Sequence, residues 1–120
     1  MSSRTWMIFD VESIGLHGEA FAVAYVVIEE VNGHWQEVEH MLIWCDPENA
    51  AGDVAGMKWV SQHVPVNSWM HKEGKQHCRG VEAVAESVWG RCVERKDKGA
   101  GLCADVSWPC RLIPTGAAEE

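Results

Sequence analysis

TWMIFDVESIGLHGEAFAVAYVVIEEVNGHWQEVEHMLIWC, residues 5–45, decides the fold. Thr5 to Glu12 is rich in aromatic and branched residues and reads as a strand. Side chains alternate faces along a strand, so Trp6, Ile8, Asp10 and Glu12 share one face. A glycine-punctuated turn, residues 13–18, follows. The unbroken apolar run within Glu19 to Glu29 suits a strand covered on both faces, and its periodicity alone fits a buried helix as well. Val31-Asn32-Gly33-His34 carries the strongest short hairpin signal, Asn-Gly between two strand-like runs. The returning strand is Trp35 to Cys45, closed by Asp46-Pro47. Three consecutive strands in an antiparallel meander are therefore expected to open the domain.

Downstream the pattern changes. Val54 to His63 has the spacing of a short helix carrying Met57, Trp59 and Val60, with Val64-Pro65 as its stop. Ser68 to Cys78 is polar, contains a glycine and reads as a loop. Gly80 to Lys98 is the clearest helix: Val81, Val84, Ala85, Val88, Trp89 and Cys92 recur at steps of three and four, giving one apolar stripe. Lys98-Gly99 is its natural end. Ala100 to Val106 reads as a fourth strand, ended by Trp108-Pro109. The order β-β-β, short helix, α, β predicts an α/β (α+β) domain over residues 1–110 and a frayed tail over 111–120.

Composition narrows the class. Eighteen acidic and ten basic side chains give a net charge of −8 on 120 residues. That balance argues against a protein that binds nucleic acid by blanket phosphate neutralisation, but not against one that meets phosphates through bound cations. The longest apolar run is far too short to cross a bilayer, and no secretory leader is recognisable. Five cysteines, an odd number without tight spacing, read as reduced thiols of a cytoplasmic protein.

Two constellations carry chemistry. Asp10 and Glu12 project side by side from one strand face, a repulsive pair that a hard divalent cation would reconcile. A strand end reaching water would equally hydrate both. Asp105 sits at the end of the predicted fourth strand; if that strand runs parallel beside the first, three carboxylates meet at one sheet edge. A turn aspartate capping the next segment is the alternative. Gly99-Ala100-Gly101-Leu102-Cys103-Ala104 satisfies G-x-G-x-x-A, but it leaves a helix and enters a strand, the reverse of what phosphate binding needs. His71, His77 and Cys78 have no closed zinc spacing. His17-Gly18-Glu19 with Pro109-Cys110 lacks one zinc ligand of a deaminase signature, since Ile113 stands in its place.

Phe9-Asp10-Val11-Glu12-Ser13-Ile14-Gly15-Leu16, followed by the Asn-Gly hairpin, the helix and Asp105 with Trp108-Pro109, resembles the DnaQ-like (DEDD) 3′–5′ exonuclease superfamily. The resemblance covers about the first 110 residues. It implies an RNase H-like fold: an antiparallel three-stranded meander, a crossover helix and a parallel fourth strand. It also implies two-metal hydrolysis of phosphodiesters at single-stranded DNA or RNA 3′ ends with Mg²⁺ or Mn²⁺. Asp10, Glu12 and Asp105 would be the catalytic, metal-holding acids. Val11, Ser13, Ile14, Gly15 and Leu16 would line the terminal-nucleotide pocket, and Trp108 would stack on a base or join the core.

The family's third motif, a His or Tyr followed four or five residues later by Asp, is not found. After Asp105 the acids are Glu119 and Glu120, with no histidine or tyrosine. Relative to the family the chain is expected to lack the C-terminal part of the fold, and a longer parent chain is one source of that part. Slow turnover is then expected, as is self-association through uncovered apolar surface. The alternative is a catalytically inactive RNase H-like remnant or interaction module.

Overall fold

The computed structural model describes residues 4–15 and 17–103. Strands β1 (Arg4–Ser13), β2 (Ala20–Val31) and β3 (His34–Cys45) form the expected meander, each antiparallel to the next. The apolar run in β2 is thus strand and not helix. Asn32 (φ 55°) and Gly33 (φ 81°) close the β2–β3 hairpin with the two positive φ angles that a tight turn of this hand requires. Helix α1 (Val54–His63) occupies the expected residues, its N-terminus capped by Asp53 accepting from the Gly56 N–H. A single-turn helix, α2 (Val66–Trp69), follows Pro65.

Lys75–Cys78, expected to be loop, is a strand, β4, lying parallel to β3. Four residues reading Lys-Gln-His-Cys are too few and too polar to display an apolar alternation. Only pairing with β3 makes them a strand. Helix α3 (Val81–Asp97) follows, and β5 (Gly101–Cys103) then runs parallel to β1. The strand expected fourth is therefore fifth in the chain, and residues 104–106 of the expected span lie outside the described residues. Among the described residues the sheet has five strands in the order β4-β3-β2-β1-β5, a mixed sheet in an α+β domain.

The two faces of the sheet are treated differently. Met7, Phe9, Val11, Val23, Tyr25, Val27 and Ile43 are buried, together with Val84, Val88 and Cys92 of α3. Trp89, expected on the apolar stripe of α3, is 51% exposed. At roughly 100° per residue it falls at the stripe's margin, beyond the line through Val81, Val84, Val88 and Cys92. On the other face α2 covers one end, where Trp69 meets Trp44 edge-on with ring centroids 5.5 Å apart. Among the described residues the rest is open: Trp6 is 40% and Ile8 38% exposed.

A polar network binds α3 to the sheet. Arg95 Nη2 donates to Glu39 Oε1 at 2.6 Å, the Tyr25 hydroxyl donates to Glu39 Oε2 at 3.1 Å, and Arg91 Nη1 donates to the Tyr25 oxygen at 3.1 Å. Gln76 Nε2 of β4 donates to Ser87 Oγ at 2.8 Å. Burial alone would raise the Glu39 pKa, but the bonds from Arg95 and Tyr25 and the charges of both arginines overcome it, so the net shift is downward. A carboxylate with a lowered folded pKa stabilises the fold above its unfolded value, near 4.5, and loses that contribution as pH falls through the folded value. Glu39→Gln should therefore flatten the acid limb of the stability curve while costing about 1–3 kcal/mol at neutral pH. Urea midpoints from pH 3 to pH 7 check this. An unchanged acid slope in the variant would remove Glu39 as its origin.

Candidate functional site

Backbone register assembles a site on the open face. Asp10 pairs with Ala24, Ala24 with Leu42, and Leu42 with Lys75, so one row crosses β1, β2, β3 and β4 on a single face. The next row is Glu12, Ala22, Trp44 and His77. Strands lie about 4.8 Å apart, so each row spans roughly 14 Å from acid to base. A groove of about 680 Å³ lies over this face, with Ile8, Ala24, Val26 and Leu42 among its lining residues and Trp69 at the end that α2 covers. Asp10 and Glu12 line it from β1; His40, Lys72 and Glu73 line it from β3 and the approach to β4.

Asp10 is exposed and Glu12 partly so, and their shared face is the one expected from strand alternation. Carboxylate oxygens two residues apart suit a hard cation such as Mg²⁺ or Mn²⁺, which takes oxygen ligands and keeps several waters. Among the described residues no group of three or more His, Cys, Asp or Glu side chains converges as a metal cage. The expected third acid, Asp105, lies outside the described residues, as do Leu16 and Trp108.

The expected pocket residues divide by burial. Val11 is 6% exposed, pairs with Val23 and faces away from Asp10 and Glu12. Ile14 is 1% exposed. Both are core residues with little surface to offer a nucleotide, because a strand that presents Asp10 and Glu12 on one face must turn Val11 to the other. Ser13 is half-buried, and its hydroxyl donates to the Gly15 carbonyl at 2.8 Å, holding the turn that ends β1.

Alternative chemistries find no geometry among the described residues. His77 Nε2 lies 3.1 Å from Asp46 Oδ1, and its ring stacks on Trp44 at 4.1 Å. Cys78, next in β4, turns to the opposite face beside Cys45, its partner in the register. The two therefore do not converge on a zinc ion. Cys45, Cys78 and Cys92 are buried free thiols, while Cys103 is exposed. Burial pushes Cys45 up to about 11, with Cys78 adding to the effect, and burial likewise pushes Cys92 to about 11. Such thiols stay protonated and are poor nucleophiles. No helix among the described residues is long and apolar enough to cross a membrane.

The wall opposite the acids was not anticipated from sequence. Residues 71–79, HKEGKQHCR, hold three Lys or Arg against one acid in a chain of net charge −8. That local reversal of sign is the signal that marks them. No family model, no curated protein and no solved structure matches this chain.

Proposed function

We propose that this protein is a metal-dependent 3′–5′ exonuclease acting on single-stranded DNA or RNA ends, built on an RNase H-like sheet. Asp10 and Glu12 would hold Mg²⁺ or Mn²⁺, with Asp105 as the third acid. The observation that carries the reading is the projection of Asp10 and Glu12 from one face of β1 into an open groove. The meander and the parallel strand β5 beside β1 support it further. Trp6 pairs with Gly101 and Ile8 with Cys103, so partners in β1 and β5 differ by 95 residues. The reading needs that offset to hold two residues further, to Asp10 and Asp105.

A divalent ion bound by these acids supplies Lewis acidity and lowers the pKa of a bound water. The chain's own part is positional. Pairing of β1 with β2 at Asp10 and Glu12, and with β5 at Trp6 to Ile8, fixes the backbone from which the two acids project. The apolar floor, with Ile8, Ala24 and Leu42, offers a surface on which a nucleobase can rest without competing for the cation.

A single-stranded oligonucleotide labelled at its 5′ end tests this. With Mn²⁺ the protein should shorten it stepwise from the 3′ end. Asp10→Asn and Glu12→Gln should each slow the reaction by at least about 100-fold. Equal activity in the double variant would assign the cleavage to a contaminant. Absence of cleavage at every Mg²⁺ and Mn²⁺ concentration would leave the inactive interaction module as the better reading.

A further inference from the structure

We propose that Lys72 and Lys75, with His40 beside them, grip the phosphodiester backbone of the single strand whose terminal linkage lies at Asp10 and Glu12. The inference rests on the reading of that acid pair as the metal-holding end, and it assigns a ligand contact to the opposite wall.

Three observations carry it. First, Lys75 ends the row that begins at Asp10, with only Ala24 and Leu42 between them, so both project from the same face. Gln76, the next residue, confirms the alternation by bonding Ser87 of α3 on the covered face. Secondly, Lys72 and His40 line the same groove, and His40 Nδ1 is held 3.1 Å from Glu37 Oε2. Its other ring nitrogen lies toward Gly74, where a Cβ would come within 3.1 Å of it. Thirdly, the charge is unevenly placed: Asp10 and Glu12 stand on β1, the floor is uncharged, and on the far side Lys72 and Lys75 outnumber Glu73, on a protein that is otherwise strongly acidic.

A ligand matching this order is anionic along its length, carries flat apolar groups, and ends on a group that seeks a cation. Single-stranded nucleic acid has all three properties. Roughly 14 Å separates the walls, so the lysines meet phosphates upstream of the scissile one and not the reacting group itself. They are binding residues, not catalytic ones.

Fluorescence anisotropy with a labelled oligothymidylate about ten nucleotides long, in EDTA, separates this contact from hydrolysis. The double variant Lys72→Ala/Lys75→Ala should bind roughly 25-fold more weakly than the wild type at 0.1 M salt. The slope of log affinity against log salt should become shallower by about 1.4, the value for two lost phosphate contacts on a single strand. Lys96→Ala/Lys98→Ala removes the same charge from α3 and its C-terminal cap and should change affinity by less than about threefold. Asp10→Asn should bind at least as well as the wild type. Equal weakening by both lysine pairs would overturn the proposal, as would wild-type protein that does not bind the oligonucleotide. Lysine-dependent binding without metal-dependent cleavage would keep the grip and remove the hydrolytic reading.

Discussion

Trp44→Ala should cost about 3–5 kcal/mol of folding stability, a large part of what a domain of this size possesses. Trp44 is 2% exposed, stacks on His77 at 4.1 Å and meets Trp69 edge-on at 5.5 Å. Removing the indole leaves a cavity and strips Trp69 of α2 of one of the two rings it packs on, Phe21 being the other. Trp44→Phe should behave differently. The indole Nε1 is buried without a hydrogen-bond partner among the described residues, so phenylalanine discards an unsatisfied donor as well as volume. Its cost should stay below about 1.5 kcal/mol. Urea denaturation followed by far-UV circular dichroism measures both, and similar losses for the two variants would show that the ring packing had been misjudged. The alanine variant should also loosen the groove, because Trp69 closes its end.

Gly18→Ala is the second large effect, about 3 kcal/mol, and its cause is steric. A Cβ at Gly18 would fall on the carbonyl oxygen of Ile14 and crowd its carbonyl carbon at 2.7 Å. Ile14 is 1% exposed and anchors the turn after β1, so it has no room to withdraw. Gly52 approaches the same residue, but there a Cβ would strike mainly the Ile14 side chain. The two glycines therefore differ in a testable way. Adding Ile14→Ala should relieve Gly52→Ala in part, since that clash is mostly with side-chain atoms. It should not relieve Gly18→Ala, whose main obstacle is backbone. Thermal melts of the four variants decide it, and rescue of both glycine variants would refute the backbone assignment. This turn joins the acid-bearing strand to β2, so displacing it moves the end of β1 that carries Glu12.

The meander was legible because β1, β2 and β3 are long strand-like runs, β2 and β3 being joined at Asn32-Gly33 by residues that tolerate positive φ. Helix α3 was legible from its stripe, and α1 from its spacing and the Val64-Pro65 stop. The pairing of Asp10 with Glu12 on one face needed nothing beyond the two-residue period of a strand. Three things were not legible. β4 is four residues of Lys-Gln-His-Cys whose strand character comes from hydrogen bonds to β3, not from its own side chains. Trp89 lay within the helical pattern but at the rim of the buried arc, where packing rather than periodicity decides exposure. Val11, placed in a nucleotide pocket by resemblance, is committed to the core by the same alternation that exposes its neighbours.

What the amino-acid order determined by itself is local: which segments extend, which coil, where the chain must turn, and which side chains of one element look the same way. Those properties follow from steric preference and periodicity within a few residues. Only the tertiary structure decided that β4 joins β3 while β5 joins β1, setting Lys72 and Lys75 across the sheet face from Asp10 and Glu12. Strand order and register are chosen by burial summed over the whole sheet, a quantity that no single segment contains.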